Sequence, residues 1–215
     1  TLMFIHLDKR KKIRHLDVGC GAGFLAISSK SLLGGEEGYV GIDIMKNEIN
    51  FCRNHYPSYF DFKHVNVNNP YYTPIQENKN IKWPLENSSF DVVTSLSVWT
   101  HLSEKDALFY IKEVNRVLKP GGKVIITFFI LDELYQKSLS IRSEEAGKYH
   151  MSPSKQWIFD QPAYDSKDWF YPKWTTVPER AIGITSAGLN RLISEADLKI
   201  IEQYQGNWKE VPGVF

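Results

Sequence analysis

Two periods of apolar residues alternate along the first 130 residues of the chain. Short apolar runs, typical of buried parallel strands, are separated by segments in which apolar residues recur every three or four positions, as on one face of a helix. Five runs predict strands: one that ends at Val18, and those at 39–43, 60–67, 90–95 and 123–129. Three segments predict helices: 24–33, 45–55 and 103–118. This alternation is typical of an α/β fold with a mainly parallel sheet and helices on both faces.

The pattern changes between Leu131 and about Ile184, where neither period persists. Aromatic residues and prolines cluster there instead. Because a structureless loop of this length is uncommon in a compact domain unless it is functional, residues 131–184 are predicted to be an insertion that covers the carboxyl edge of the sheet and the substrate. The alternative is that the aromatic side chains only form a small core under the insertion. A helix is then predicted from 185 to 196 and a sixth strand from Leu198 to Tyr204.

A glycine-rich turn joins the first predicted strand to the first predicted helix. Gly19, Gly21 and Gly23 follow Asp17 at alternating positions. Without a Cβ, each lets the backbone turn tightly and lets a ligand lie against the main chain and the helix N-terminus. The spacing is not the dinucleotide fingerprint Gly-x-Gly-x-x-Gly, because Phe24 occupies its last glycine position. A ligand-binding loop and a purely structural turn both remain open at this point.

An acidic residue ends the second predicted strand. Asp43 lies 20 residues after Gly23, which is the offset at which a carboxylate meets a ribose diol in nucleotide-binding α/β folds. Hydrogen bonds from both hydroxyls to an ionised carboxylate would contribute about 1.5 to 3 kcal/mol each. The alternative is that Asp43 only caps the helix that follows it.

Two further sequence segments are informative, one that leads into the fourth strand and one that leads into the fifth. The proline-punctuated segment from Pro70 to Ser89 predicts a loop, and its end leads through Phe90-Asp91-Val92-Val93 into the fourth strand. A helix opened by a capping box at Ser103 closes with the turn from Arg116 to Lys123. Together with the glycine loop and Asp43, and in this order, these segments resemble the class I S-adenosylmethionine-dependent methyltransferases, most of all the bacterial small-molecule type. The resemblance covers roughly residues 14 to 130.

This resemblance implies a doubly wound, mainly parallel Rossmann-like sheet, a single methyltransferase domain over 1–215, and S-adenosylmethionine as the cofactor. Asp17 is expected near the cofactor's ammonium group, and a residue after the third strand is expected on its adenine. Asn66 and Val67 fit that role, with Asn68 as a register alternative and a plain asparagine-rich turn as the other interpretation. The full set of expected cofactor-binding residues is Asp17, Gly19, Cys20, Gly21, Gly23, Asp43, Ile44, Asn66, Val67, Ser95 and Leu96.

The expected reaction is methyl transfer to a small-molecule acceptor, with a hydroxyl oxygen favoured. His101 is the candidate general base, because its imidazole titrates near neutral pH and it follows the carboxyl end of the fourth strand. The alternative is a histidine that only hydrogen-bonds a loop. Tyr149, His150 and Asp165 are weaker candidates. The candidate acceptor-binding residues are Trp99, Trp157, Tyr164 and Trp169.

Composition narrows the class of partner. The 215 residues carry 26 Lys and Arg against 25 Asp and Glu, so no global charge favours nucleic acid or an anionic membrane. The two cysteines form neither a disulfide framework nor a metal-binding pattern, and no apolar run reaches the length of a membrane span. We expect a soluble, cytoplasmic protein without a metal, with missing terminal elements and an undetermined oligomeric state. Two other functions remain open: a non-catalytic binding module of this fold and, less favoured, an NAD-linked oxidoreductase.

Overall fold

The computed structural model describes residues 12–35, 38–74, 80–146 and 151–206. The chain divides into two compact units, of which the first contains Thr1–Val98 with Glu113–Ile126 and the second contains Trp99–Lys112 with Thr127–Phe215. The single domain over 1–215, with 131–184 as a substrate-covering insertion, stays a prediction.

The first unit is built on a five-stranded parallel sheet with the strand order β3-β2-β1-β4-β5. Its strands are β1 (His15–Val18), β2 (Tyr39–Asp43), β3 (Phe60–His64), β4 (Phe90–Ser95) and β5 (Leu118–Ile126). Its helices are α1 (Phe24–Ser29), α2 (Lys46–His55) and the last turn of α3 (Glu104–Val117). The predicted mainly parallel Rossmann-like sheet is confirmed.

The strand order reverses between β1 and β4, because β2 and β3 extend the sheet on one side and β5 on the other. In open parallel sheets, ligands bind outside the carboxyl ends of the strands at such a switch point. Every residue of β1 is buried, and α2 packs Ile49 and Cys52 into a core with Tyr39 of β2. The sheet therefore fixes the positions of the residues that follow β1, β2 and β4.

The second unit contains a smaller mixed sheet with the strand order β6-β9-β8-β7. Its strands are β6 (Phe129–Leu131), β7 (Phe159–Pro162), β8 (Trp169–Pro172) and β9 (Gly183–Thr185), and its helices include α4 (Glu133–Ser138) and α5 (Ser186–Glu195). Only β6 and β9 pair in parallel. Thr185 caps α5, since its hydroxyl oxygen accepts a hydrogen bond from the Gly188 amide at 3.0 Å. Most residues of this sheet thus lie within 131–184.

Several predicted boundaries change. The prediction of a strand at 198–204 is wrong, because residues 199–206 form no regular element and leave the side chains of Ile200 and Ile201 exposed. The predicted fifth strand, 123–129, is displaced: β5 already begins at Leu118, and β6 is a separate strand from Phe129. The helix predicted at 24–33 ends at Ser29 and continues as a 3₁₀ turn, and β3 ends at His64. The described part of 70–89 forms neither helix nor strand, as predicted.

Arg116, near the end of α3, holds the loop that leads into β4. Its guanidinium donates to both carboxylate oxygens of Glu113 at 2.7 Å and to the backbone carbonyl of Leu85 at 2.8 Å. The Trp83 amide donates to the same carboxylate at 2.8 Å. The Glu113 side chain is about nine-tenths buried, so Arg116 is its compensating charge.

We predict that Arg116→Ala lowers the free energy of unfolding by about 3–5 kcal/mol, because it leaves the Glu113 carboxylate buried without its cation. Urea denaturation measures the change. Lys112→Ala, which breaks an exposed ion pair with Glu195, is the control and should cost no more than about 1 kcal/mol. Equal losses in the two variants would contradict the assignment.

Candidate functional site

The glycine loop between β1 and α1 has three left-handed residues. Gly19, Gly21 and Gly23 have φ angles of +72°, +49° and +81°. A Cβ at Gly19 would lie 2.3 Å from Cγ2 of Val98, whereas a Cβ at Gly21 would meet nothing within 4 Å. Packing therefore requires a glycine at position 19. At Gly21 the backbone instead faces open space, which forms a cradle that a side chain would fill.

Asp43 connects this loop to the carboxyl end of β2. Its Oδ2 accepts a hydrogen bond from the Gly21 amide at 2.8 Å, and its Oδ1 accepts one from the Met45 amide at 2.8 Å. The second contact is a local turn that precedes α2, and the helix N-cap, Met45, has no side-chain cap hydrogen bond. Because each carboxylate oxygen has a further lone pair, Asp43 retains the capacity to accept from a ligand diol.

Asp17 lies inside the sheet rather than on its surface. Its carboxylate is buried and accepts hydrogen bonds from the hydroxyls of Tyr39 at 2.8 Å and Thr94 at 2.9 Å. Both oxygens are thus engaged by residues of β2 and β4. A direct contact of Asp17 with a cofactor ammonium group stays a prediction.

The Asp17 contacts continue into a buried polar chain. Thr94 Oγ1 lies 2.7 Å from His15 Nε2, and His15 Nδ1 lies 3.3 Å from the Ser29 hydroxyl, which donates to the Leu25 carbonyl of α1 at 2.6 Å. Burial raises the pKa of Asp17 to about 6 and lowers the pKa of His15 to about 4. Sequence reasoning missed His15 and Thr94, although a histidine and a threonine inside two apolar strands were visible signals.

The other predicted cofactor residues lie at or beyond the carboxyl ends of the strands. Ser95 ends β4, and its hydroxyl donates to the Val18 carbonyl at 3.3 Å. The Val65 amide, just after β3, donates to the Asp43 carbonyl at 2.9 Å and so brings this segment to the end of β2. Burial differs among the rest: Cys20 and Val67 are buried, Ile44 and Asn68 are half-buried, and Asn66 and Leu96 are exposed.

Two thiols adjoin the glycine loop. The sulfurs of Cys20 and Cys52 lie 3.8 Å and 3.4 Å from the Gly21 carbonyl oxygen, to which they donate weak hydrogen bonds. Burial raises the pKa of both thiols, that of Cys52 to about 11. Both thiols are free and buried.

His101 belongs to the second unit, in a 3₁₀ turn formed by Trp99–His101. Its Nδ1 lies 2.8 Å from the backbone carbonyl of Glu179. A carbonyl only accepts, so Nδ1 carries the proton and Nε2 is the basic nitrogen of the neutral ring. Burial lowers the pKa of His101, which keeps the ring neutral at pH 7. The contact is also the loop hydrogen bond of the alternative interpretation.

The predicted acceptor residues do not share one environment. Trp157 packs with Phe129 and Phe159 in an apolar cluster, as expected for a small core. Trp99 and Trp169 are buried. Tyr164 is exposed, yet its hydroxyl donates to Oε1 of Glu179 at 2.7 Å.

The weaker candidates for the general base are Asp165, Tyr149 and His150. Asp165 is exposed with a φ of +59°, and Tyr149 and His150 lie outside the described residues. Sequence reasoning missed Glu179, which lies in a 3₁₀ turn after Pro178 with no periodic signal around it.

Within the described ranges, no group of three His, Cys, Asp or Glu residues is arranged to hold a metal ion. In the same ranges, no helix has the length and apolar character needed to cross a membrane.

Comparison with known proteins identifies the class. A family profile described as "Methyltransferase domain" matches residues 16–126. Two solved structures share the fold: the PH0226 protein from Pyrococcus horikoshii OT3 (20% identity, TM-score 0.56, 96% of this chain and 80% of that chain) and an S-adenosylmethionine-dependent methyltransferase from Mesorhizobium loti (14%, 0.59, 96% and 82%). The chain belongs to the class I S-adenosylmethionine-dependent methyltransferase family.

The curated relatives have a higher sequence identity to this chain, but they match a smaller part of it. A demethylmenaquinone methyltransferase from Staphylococcus aureus strain MRSA252 is 32% identical over 116 residues, which are 54% of this chain and 43% of that protein. The chain thus spans less than half the length of these relatives. The family membership supports S-adenosylmethionine as the cofactor and favours the methyltransferase prediction over the NAD-linked alternative.

We predict opposite pH dependences for variants of the buried chain. The folded-state pKa of Asp17, about 6 against 3.8 for the free group, means that Asp17 destabilises the fold as pH rises from 4 to 6, by about 3 kcal/mol. His15, with its lowered pKa, destabilises the fold as pH falls from 6.5 to 4, by about 3 kcal/mol. Relative to wild type, Asp17→Asn should therefore gain stability as pH rises through this window, and His15→Gln should lose it.

Urea denaturation at several pH values between 4 and 7 measures both difference profiles. Asp61→Asn, on an exposed carboxylate of β3, serves as the control and should run parallel to wild type. If the profiles of all three variants ran parallel to wild type, the pKa shifts of Asp17 and His15 would be contradicted.

Proposed function

We propose that this chain is an enzyme that transfers a methyl group from S-adenosylmethionine to a small-molecule acceptor. The candidate cofactor-binding residues all belong to the first unit, and His101 and the candidate acceptor-binding residues belong to the second. One observation carries the proposal: within the family match, the Gly21 amide is hydrogen-bonded to Asp43 beside the open space at Gly21.

The donor set suits this cofactor. Gly21 offers backbone without a Cβ, as an amino-acid tail and ribose require for close approach. Asp43 keeps lone pairs for the ribose hydroxyls, and Ser95 ends β4, the neighbour of β1.

The cofactor, when bound, supplies a methyl group already activated by its sulfonium. The chain's residues then have two tasks: they align the acceptor, and they remove its proton where it has one. His101 suits the second task, because the Glu179 carbonyl holds the Nδ1 proton and leaves Nε2 as the basic nitrogen. A neutral ring is the form that accepts a proton.

The acceptor we favour carries a hydroxyl group, and oxygen is the methylated atom. A second candidate is a quinone of the demethylmenaquinone kind, favoured by the 32% identical relatives. The absence of a nucleic-acid partner belongs to the same proposal, based on the balanced charge of the sequence. A location in the cytoplasm belongs to it as well, based on the two free thiols.

We predict that Asp43→Ala weakens binding of S-adenosylhomocysteine by about 10- to 150-fold, because hydrogen bonds to a charged group contribute about 1.5–3 kcal/mol. Isothermal titration calorimetry measures the affinity, with Asp61→Ala as the matched carboxylate control on β3. Wild-type protein that fails to bind at tens of micromolar would overturn the proposed function. Unchanged affinity in Asp43→Ala would show that the diol contact is wrongly assigned.

We predict that His101→Ala lowers kcat by about 10²- to 10⁴-fold while the affinity for S-adenosylhomocysteine stays within about twofold of wild type. The assay follows formation of S-adenosylhomocysteine with a panel of phenols, sugars and demethylmenaquinone. His55→Ala, which removes an exposed imidazole from α2, is the control. Full turnover in His101→Ala would leave His101 as a loop-stabilising residue only.

A further inference from the structure

The carboxyl group of Glu179 is buried with one oxygen unsatisfied. Glu179 is 1% exposed, and Tyr164 donates to its Oε1 at 2.7 Å. Its Oε2 is buried and has no hydrogen-bond partner among the residues that the structure describes. Leaving such an atom unsatisfied is costly in a folded protein, so a ligand group or a water that bonds to it is favoured there.

A second unsatisfied polar atom occurs on the neighbouring turn. Trp99 is 2% exposed, and its indole Nε1 is buried without a partner in the described ranges. The Trp99–His101 and Pro178–Arg180 turns pack together. His101 Nδ1 lies 2.8 Å from the Glu179 carbonyl, and just after the second turn the Ile182 amide donates to the Thr100 carbonyl at 2.7 Å. The second unit thus holds an indole donor and a carboxyl group on two packed turns.

A hydroxyl group complements this pair. It accepts from the indole N–H through its lone pairs, and it satisfies the carboxyl oxygen in either protonation state, by donating to the carboxylate or accepting from the acid. An ammonium group has no lone pair for the indole. We propose that Glu179 and Trp99 bind the hydroxyl group of a small aromatic or cyclic acceptor in the second unit.

Tyr164 is hydrogen-bonded to the same carboxyl group. Its side chain is 60% exposed, although its hydroxyl reaches the buried Glu179. Tyr164 and Asp165 have φ angles of +51° and +59°, and two successive non-glycine residues in the left-handed region are strained. The strained turn thus carries a largely exposed tyrosine whose hydroxyl is bonded to the buried Glu179.

The aromatic character of the ligand follows from the elements around Glu179. Its turn packs against β8, which begins with the buried Trp169, and against the turn that carries Trp99. Tryptophans on both of these neighbouring elements suit a ring better than a chain of carbons. This inference rests on the proposed function only in naming the ligand as the methyl acceptor.

The test measures phenol, anisole and toluene binding to the 215-residue chain saturated with S-adenosylhomocysteine, by ligand-observed NMR. Phenol carries the hydroxyl, anisole lacks its hydrogen and toluene lacks the oxygen. We expect wild type to bind phenol about tenfold more tightly than toluene. Trp99→Phe and Glu179→Met should each remove this preference, and the double variant should show no further loss.

Glu179→Met replaces a buried carboxyl with an apolar side chain of similar volume, a change that proteins often tolerate. Circular dichroism and the Tm check folding, and Trp99→Phe alone carries the test if Glu179→Met does not fold. Glu133→Gln, at an exposed carboxylate of α4, is the control and should keep the phenol preference.

Equal binding of phenol and toluene to wild type would overturn the inference, as would a phenol preference that survives in the folded variants. Those results would assign both buried atoms to trapped water, and they would leave binding of S-adenosylhomocysteine and the proposed function intact. Conversely, a phenol preference in protein that does not bind S-adenosylhomocysteine would keep the hydroxyl site and remove its role in methyl transfer.

Discussion

The hydrogen bond between the Gly21 amide and Asp43 joins the two neighbouring strand ends on which the first unit depends. It holds the loop after β1 against the end of β2, so a ligand that lies on the loop also meets the acid. The left-handed backbone at Gly19, Gly21 and Gly23 makes that approach feasible, since L-residues with side chains rarely adopt it. The parallel pairing of β1 with β2 supplies the common edge.

A buried polar chain supports this arrangement from within the sheet. Asp17, Thr94 and His15 lie on β1 and β4, and Tyr39 adds a hydroxyl from β2, so one network spans three central strands. Buried polar groups must be paired, and these pair with one another rather than with water. The opposite effects of burial on the Asp17 and His15 pKa values let the network remain neutral in charge over much of the range in which either group titrates.

Sequence reasoning succeeds where the information is local. The glycine spacing and the offset to Asp43 are fixed by a short segment, and strands β2 and β4 coincide with their predicted runs. The partners of Asp17 are 22 and 77 residues away, so only the sheet brings them together. In the second unit, β6 and β9 have three residues each and β7 and β8 end in proline, which is too short and irregular for a period to emerge. The apolar pattern at 198–204 was misleading, because an apolar pattern by itself does not provide a neighbouring strand with which the segment could pair.

The thiols beside the glycine loop have a consequence for chemical selectivity. A sulfonium methyl donor is an alkylating agent, and a thiolate within its reach would itself become methylated. Burial raises the pKa of Cys20 and Cys52 and keeps both sulfurs protonated, and a protonated thiol is a weak nucleophile. A donor bound at the glycine loop, as we propose, would therefore not alkylate these sulfurs, and soft sulfur could line the loop without competing for the transferred group.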